Sequence, residues 1–270
     1  MEEIIIIPDV HGRTFWREAV EKYRNKENTQ IIFLGDYLDP YQIIDKITPE
    51  EAYCVFEEII DITKESSNII LLLGNHDLHY WCKNTSGCRK DYERENDIHN
   101  LFMSNSHLFS IAYEIYINNK QYLFTHAGVL KSWFDWITNK VNLGTEKYPF
   151  TFLLEPIMDN FKEEEDILKL LTLKLTSEDL NSLLKSEIGL YVLSMVGRDR
   201  GGYDYAGSCL WCDVTEHLQS SHKYENIYQI FGHSFAFPDL DKYVITDSFA
   251  MLDCKRVFKL NCKNGKIELI

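Results

Sequence analysis

Three short aliphatic runs stand out in the first third of the chain. They cover residues 4–7, 31–34 and 69–73. A strand with one face in solvent alternates apolar and polar side chains, whereas these runs are almost continuous. The pattern therefore predicts three strands that are buried on both faces.

Two segments between these runs place apolar side chains at helical spacing. They are residues 14–27 and 48–65, and the second opens with Thr48, a good N-cap, and with Pro49 at the first helical position. Strands that alternate with helices in this way indicate parallel βαβ units. The sequence thus predicts an α/β fold.

The rest of the chain predicts more strands and a helical stretch. The predicted strands are residues 113–117 and 121–125, which form a hairpin, and residues 228–231, 243–246, 256–260 and 266–270. Residues at about 150–196 are rich in Leu, Glu and Lys, and a capping signal at Thr176 precedes Leu180. We interpret this stretch as a helical insertion in a single domain that covers residues 1–270.

Composition and charge narrow the class of protein. The 270 residues are 45% hydrophobic, enough for a substantial core, and carry a formal net charge of −14. This acidic balance argues against binding to a nucleic-acid backbone through a basic stripe. No apolar run approaches the roughly 20 residues of a membrane span, and the Met-Glu-Glu start lacks the basic residues of a signal peptide. We therefore expect a cytoplasmic protein without nucleic-acid or membrane partners.

The seven cysteines of the chain are expected to be reduced thiols, because no export signal is evident. Cys209 and Cys212 have the spacing of half a zinc site, but no regular second pair completes it. A structural zinc is therefore the less favoured interpretation of this pair.

Polar side chains that can bind metal follow the predicted strands. They are Asp9 and His11 after the first run, Asp36 and Asp39 after the second, Asn75 and His76 after the third, and His126 and His233 after two later strands. Taken singly, each has an ordinary explanation, such as a turn or a hydrogen-bonded core histidine. Five strand ends of this kind are hard to obtain by chance, and the carboxyl ends of parallel strands meet at one edge of a sheet. We therefore expect these side chains to converge.

The chemistry of these side chains indicates the kind of metal. Mixed oxygen and imidazole ligands suit Mn, Fe or Zn, and Ca or a thiolate site less well. Even six ligands from this set of eight side chains are too many for one catalytic metal with an open position. They fit two divalent metal ions that share a bridging carboxylate at a separation of about 3.5–4 Å.

The order of these motifs resembles the calcineurin-like metallophosphoesterase superfamily, and most of all its branch of phosphoprotein phosphatases and symmetrical diadenosine tetraphosphate hydrolases. The matching motifs are "DVHG" at 9–12, "GDYLD" at 35–39, "GNHD" at 74–77, "HAG" at 126–128 and "GH" at 232–233. The resemblance implies an α/β four-layer sandwich, in which two facing mixed β-sheets are flanked by helices and the metals lie at the sheet edge.

The resemblance also implies a role for each matching residue. Asp9, His11 and Asp36 would hold the first metal, Asp36 would bridge, and Asn75, His126 and His233 would hold the second. His76 would protonate the leaving oxygen, with Asp39 as its carboxylate partner. The remaining histidines, which are His79, His99, His107, His217 and His222, have no motif support, so we interpret them as core or surface residues.

The chain departs from the family pattern at one position that matters for substrate. The family's second motif usually continues with an arginine that binds phosphate, but Pro40 follows Asp39 here. We expect another arginine to bind the substrate phosphate. Arg200, in a glycine-flanked loop, is the first candidate, and Arg13, directly after the "DVHG" motif, is the second.

The function implied by the resemblance is hydrolysis of phosphate esters or anhydrides by direct attack of a metal-activated hydroxide. The expected substrate is a phosphomonoester, a phosphoprotein or a dinucleoside polyphosphate. Two alternatives stay open, namely a nuclease or phosphodiesterase and a catalytically inactive binding module of the same fold. The oligomeric state is not predicted.

Overall fold

A computed structural model of the chain describes residues 1–82, 87–139, 169–220, 224–234 and 242–270. Residues 150–168 of the predicted insertion, and His222, lie outside the described residues. Within the described residues the strands are β1 (Glu3–Ile7), β2 (Thr29–Phe33), β3 (Ile69–Leu72), β4 (Phe109–Ser110), β5 (Ala112–Ile117), β6 (Lys120–Thr125), β7 (Ile227–Phe231), β8 (Val244–Ile245), β9 (Phe249–Met251), β10 (Phe258–Asn261) and β11 (Ile267–Leu269).

Helices connect many of these strands. They are α1 (Arg17–Tyr23), α2 (Gln42–Asp45), α3 (Pro49–Lys64), α4 (Asn75–Trp81), α5 (Glu95–Ser104), α6 (Lys131–Ile137), α7 (Ser177–Ser182), α8 (Glu187–Leu193) and α9 (Val214–Gln219). None of the helices in the described part of the chain has the length and apolar character needed to cross a membrane.

The strands form two mixed sheets. In the first, the order is β11-β10-β1-β2-β3-β4. Strands β1 to β4 run parallel to one another, and β10 runs antiparallel to both of its neighbours, β1 and β11. In the second, the order is β5-β6-β7-β9-β8, with β6, β7 and β9 parallel. The predicted parallel βαβ start is confirmed.

The two sheets pack face to face through their apolar side chains. Ile4 and Ile32 of the first sheet share a buried cluster with Phe124 and Ile230 of the second. The opposite faces carry the alternate residues of the same strands, such as Ile5, which are buried against helices. This alternation explains the continuous aliphatic runs, because each strand is covered on both sides. The predicted fold of two facing mixed sheets flanked by helices is confirmed.

Capping signals set the starts of two predicted helices. The Thr48 hydroxyl accepts a hydrogen bond from the backbone N–H of Glu51, whose carboxylate accepts one from the N–H of Thr48, so that α3 begins with a complete capping box. Thr176 caps α7 in a similar way by accepting from the N–H of Asp179. Asn181 of α7 then bonds the backbone of Ala112 in β5, which ties this described part of the predicted insertion to the second sheet.

Candidate metal centre

The predicted ligands follow five strands whose carboxyl ends meet at one edge of the two sheets. Asp9 and His11 follow β1, Asp36 follows β2, Asn75 opens α4 after β3, His126 follows β6 and His233 follows β7. Neighbouring loops are tied together by backbone hydrogen bonds. The N–H of His11 donates to the carbonyl of Asp36 at 2.6 Å, and the N–H of Gly232 donates to the carbonyl of His126 at 2.8 Å. All six side chains are buried.

Four residues of this edge have a left-handed backbone, which is uncommon outside glycine. The φ angles are 46° for His11, 53° for Asp36, 57° for Asp39 and 66° for His233. Such conformations cost on the order of 1–3 kcal/mol each and persist only where the surrounding structure enforces them. Here they turn the chain sharply after β1, β2 and β7, so that the side chains point back toward a common centre.

Asp36 lies at that centre. Its Oδ2 atom is 3.4 Å from Nε2 of His11 and 3.4 Å from Nε2 of His126, whereas its Oδ1 accepts a hydrogen bond from the backbone N–H of His76 at 2.9 Å. Both 3.4 Å separations are longer than a normal N–H···O bond. One carboxylate oxygen is therefore placed between two ring nitrogens without a close bond to either.

Backbone carbonyls fix the tautomers of these two rings. Nδ1 of His11 lies 2.8 Å from the carbonyl of Leu38, and Nδ1 of His126 lies 2.8 Å from the carbonyl of Leu34. Because a carbonyl can only accept, each Nδ1 carries the proton. In a neutral ring, Nε2 then has a free lone pair that faces Asp36, which is the arrangement typical of metal-binding histidines.

A second group of acceptor atoms surrounds the same nitrogen of His126. Its Nε2 lies 3.0 Å from Oδ1 of Asn75 and 3.1 Å from Nδ1 of His233. Together with the Asp36 carboxylate, this brings one amide oxygen, one carboxylate oxygen and two ring nitrogens into close contact. Nε2 of His233 is also buried without a hydrogen-bond partner in the described structure.

The electrostatics of the centre favour added positive charge. Burial disfavours a charged ring at His126, but Asp36 and Asp9 outweigh it and raise the pKa of His126 to about 10. Burial would likewise raise the pKa of Asp36, yet the histidines around it, His126 foremost, hold it well below the usual value. Burial lowers the pKa of His11 to about 3, because the charge of Asp36, which raises this pKa, has the weaker effect. The ionised carboxylate of Asp36 therefore favours positive charge beside it, either from a proton on His126 or from a metal ion.

The carboxylate of Asp9 is held at the side of this centre. Both of its oxygens accept from the backbone N–H of His233, at 3.0 and 3.1 Å. Gly232 makes this approach possible, because a Cβ atom there would lie 2.0 Å from Oδ1 of Asp9. Asp253, which the sequence analysis missed, is buried nearby, and one of its carboxylate oxygens has no hydrogen-bond partner among the described residues. Burial and the charge of Asp9 raise the pKa of Asp253 well above the usual value.

These observations fit a divalent-metal site. The ligand atoms of His11, Asp36 and His76 lie within 4.8 Å of one another, as do those of Asp36, His126 and His233. The donors are oxygens and ring nitrogens, the set preferred by Mn, Fe and Zn. Cys209 and Cys212, by contrast, are buried free thiols. Burial raises the pKa of Cys209 to about 12, which opposes the thiolate that a zinc site needs.

His76 and Asp39 form a buried pair beside the centre. Nδ1 of His76 lies 2.7 Å from Oδ2 of Asp39. Burial would raise the pKa of Asp39, but hydrogen bonds from His76 and His79 lower it to about 2. Burial opposes a charged His76, whereas Asp36 and Asp39 raise its pKa. The pair therefore stabilises the protonated ring, with Nε2 directed away from Asp39.

Sequence reasoning missed two supports of this pair. His79 was interpreted as a core or surface residue, but its Nε2 lies 2.7 Å from Oδ2 of Asp39. The Tyr80 hydroxyl donates to Oδ1 of Asp39 at 2.5 Å. Both residues lie on α4, one turn after His76, and helical spacing from the "GNHD" motif is the signal that could have found them. Of the other histidines, His217 is a buried core residue stacked on Phe231.

Asp77 is a third missed residue, and it joins the ends of β2 and β3. Its Oδ2 accepts from the backbone N–H groups of Asp36 and Gly74, each at 2.7 Å, and its Oδ1 accepts from that of Tyr37 at 3.0 Å. The carboxylate of Asp77 thereby fixes the backbone of Asp36, the candidate bridging residue, relative to the start of α4. The fourth residue of "GNHD" thus has a structural part in the site.

The two predicted phosphate-binding arginines each contact a carboxylate. Arg13 is buried and pairs with Asp45, with Nη2 2.7 Å from Oδ2. Nε of Arg200 lies 2.8 Å from Oδ2 of Asp213, and its Nη2 donates to the carbonyl of His233 at 2.8 Å. Arg200 therefore lies next to the centre. Its role in substrate binding, like that of Arg13, stays a prediction.

A cavity opens beside the centre at Asn75. It has a volume of about 500 Å³ and is lined mainly by apolar side chains, including Leu78, Val196 and Trp211. This size lies within the usual range for ligand sites. The candidate centre therefore has, beside Asn75, a pocket that can hold a small molecule.

Comparison with known families agrees with this geometry. Residues 3–236 match the family model of the calcineurin-like phosphoesterases, a span that contains every predicted ligand. The chain belongs to the calcineurin-like phosphoesterase family. The predicted resemblance is therefore confirmed at the level of the family. No curated protein sequence matches the chain significantly.

Several solved structures resemble this member of the calcineurin-like phosphoesterase family. A candidate diadenosine tetraphosphatase is 14% identical, with 100% of this chain and 93% of that chain covered and a TM-score of 0.43. A protein serine/threonine phosphatase from Saccharomyces cerevisiae is 13% identical, with 100% and 79% covered and a TM-score of 0.44. An archaeal phosphodiesterase is 12% identical, with 99% and 98% covered and a TM-score of 0.36. These similarities are too low to indicate a substrate.

The close approach of Gly232 to Asp9 yields a test of the site. A Gly232→Ala change should push the Asp9 carboxylate out of place and weaken binding of Mn²⁺ by about 10- to 100-fold, the usual effect of disturbing a residue that orients a metal site. The measurement is Mn²⁺ affinity by calorimetry, with the melting temperature of the metal-free protein as a check on folding. Gly201→Ala is the control for backbone strain alone, because Gly201 has a φ of 77° and a methyl there meets no atom of the described residues within 4 Å. Unchanged affinity in Gly232→Ala would show that Asp9 does not bind metal.

Proposed function

We propose that the protein is a dinuclear-metal phosphoesterase that hydrolyses phosphate monoesters or anhydrides. The observation that carries this proposal is the position of Asp36, whose Oδ2 lies 3.4 Å from a ring nitrogen on each side. A carboxylate in this position is suited to bridge two cations. The proposal includes phosphoproteins and dinucleoside polyphosphates among the candidate substrates.

The residues present divide into two ligand sets that share one carboxylate. Asp9, His11 and Asp36 would hold one divalent ion, and Asp36, Asn75, His126 and His233 would hold the other. Bound Mn, Fe or Zn ions supply positive charge that acidifies water and neutralises phosphoryl oxygens. The protein contributes the fixed tautomers of His11 and His126 and a buried environment that strengthens these interactions.

His76 is placed to protonate the leaving oxygen. Its Nδ1 is bonded to Asp39, so Nε2, which lies 3.2 Å from Nη2 of Arg89, is the ring nitrogen that can face a substrate. The two carboxylates that raise its pKa favour the imidazolium form, which is the form that can donate a proton. Asp39 is in turn held by His79 and Tyr80, so that the pair keeps its orientation.

Two other functions fit the observations less well. A nuclease would need a basic surface for the phosphate backbone, whereas the chain carries a net charge of −14. An inactive binding module would not need a proton donor beside an intact ligand set. Both the His76–Asp39 pair and the converging ligands therefore support an enzyme.

The first test concerns metal dependence. The protein should hydrolyse p-nitrophenyl phosphate with Mn²⁺ and lose this activity after exhaustive chelation, because the buried carboxylate and ring lone pairs cannot by themselves neutralise a phosphoryl group. Turnover followed by absorbance, with metal content measured by mass spectrometry, gives the answer. Full activity in protein shown to be metal-free would contradict the proposal.

The second test separates ligand from proton donor. Asp36→Asn should abolish activity and reduce metal content, because one carboxylate serves both ions. His76→Asn should keep the metal and lower kcat by about 10²- to 10⁴-fold, the range for loss of a general acid. The His76→Asn loss should be smaller for p-nitrophenyl phosphate than for phenyl phosphate, whose leaving group needs the proton more.

His107→Asn serves as the control, because His107 is exposed on a short 3₁₀ turn. It should leave both metal content and kcat as in the wild type. If His76→Asn loses metal to the same extent as Asp36→Asn, then His76 is a ligand. The ligand atoms of His76, His11 and Asp36 lie within 4.8 Å of one another, so metal content has to be measured in both variants.

A further inference from the structure

The candidate site lacks the arginine that usually follows Asp39 in the family, since Pro40 stands there. A phosphoryl group in transfer carries negative charge on several oxygens, and a planar guanidinium is the best-matched bidentate donor for them. Arg13 and Arg200 each form an ion pair with a carboxylate, with Asp45 and Asp213 respectively, which already neutralises part of their charge. A third arginine has a different environment.

Arg89 lies against the His76–Asp39 pair. Its Nη2 is 3.2 Å from Nε2 of His76, and its Nε donates to the backbone carbonyl of Asp39 at 3.0 Å. Its guanidinium carbon lies 3.7 Å from the centre of the Tyr41 ring, a distance at which a cation–π contact is strong. The guanidinium is therefore fixed in place by a ring and a carbonyl.

No ion pair joins Arg89 to a carboxylate within the part of the chain that the structure describes. Its contacts with Tyr41 and with the carbonyl of Asp39 orient the group but leave its charge without a counter-ion. The backbone of Arg89 also has a φ of 62°, which is uncommon for a residue of this size. A positioned and only partly exposed cation without a counter-ion is suited to an anionic ligand.

We propose that Arg89 binds the phosphoryl group of the substrate, in place of the arginine lost at position 40. This proposal rests on the proposed phosphoesterase function. A leaving oxygen has to approach Nε2 of His76 in order to be protonated, and the other oxygens of the same phosphoryl group then come within reach of Arg89. Arg89 contacts these non-bridging oxygens, whereas His76 protonates the leaving oxygen.

The division of labour between Arg89 and His76 can be measured. Arg89→Ala should lower kcat/KM by about 10- to 100-fold, the value of one or two charge-assisted hydrogen bonds. The loss should be equal for p-nitrophenyl phosphate and phenyl phosphate, because the non-bridging oxygens are the same in both. Arg89→Ala should also weaken binding of inorganic phosphate to the Mn²⁺-loaded protein by at least about tenfold.

Two further variants separate binding from structure. Arg89→Lys should recover part of the phosphate affinity, because it keeps the charge but not the guanidinium fork. Arg17→Ala is the matched control, since Arg17 is half exposed and pairs with Glu58 on the surface. It should not change phosphate affinity. Metal content and melting temperature should match the wild type in all three variants.

The proposal is overturned by phosphate affinity within twofold of the wild type in Arg89→Ala. It is also overturned if the kinetic loss grows with the poorer leaving group, as expected for His76→Asn, since Arg89 would then act by orienting His76. A loss accompanied by loss of metal would assign Arg89 a structural role. If the wild type hydrolyses neither ester with any divalent metal, the proposed function fails, and phosphate affinity measured by calorimetry alone decides on Arg89.

Discussion

The carboxylate of Asp36 lies in a buried pocket between two imidazole nitrogens, each 3.4 Å from the same oxygen. A buried charge is costly unless a partner of opposite sign is close. Backbone carbonyls hold the Nδ1 protons of His11 and His126 away from it, while Asp36 and Asp9 raise the pKa of His126 to about 10, so that a proton or a metal ion at Nε2 supplies the opposite charge. The pocket therefore favours positive charge beside the Asp36 carboxylate, which a divalent metal ion would supply in place of the proton on His126.

The fold supplies the strain and close packing that this pocket needs. His11 and Asp36 have left-handed backbones, which cost energy that the two packed sheets offset. Gly74 and Gly232 leave room for the carboxylates of Asp36 and Asp9, since a Cβ atom at either glycine would lie within about 2 Å of a carboxylate oxygen. Residues with a strained backbone and glycines at the strand ends are thus part of the site, as is common where function sets the geometry.

Much of this could be predicted from the sequence. The parallel strands and the capped start of α3 follow from local pattern, and the convergence of the candidate ligands follows from their places after strands. The short strands β4 and β9 were missed, because two or three residues carry too little pattern. Arg89 and Asp253 were missed because their positions depend on long-range folding. Helical spacing places His79 one turn after His76, but its contact with Asp39 joins residues 40 positions apart, so the local pattern could not show this partner.

The most direct test of the account is the anomalous scattering of a Mn²⁺-soaked crystal with phosphate bound. The account predicts two anomalous peaks about 3.5–4 Å apart, one on each side of the Asp36 carboxylate. It also predicts phosphate in contact with both Nε2 of His76 and the guanidinium of Arg89. A single peak, or peaks that do not flank Asp36, would contradict the central claim that this carboxylate bridges two metals.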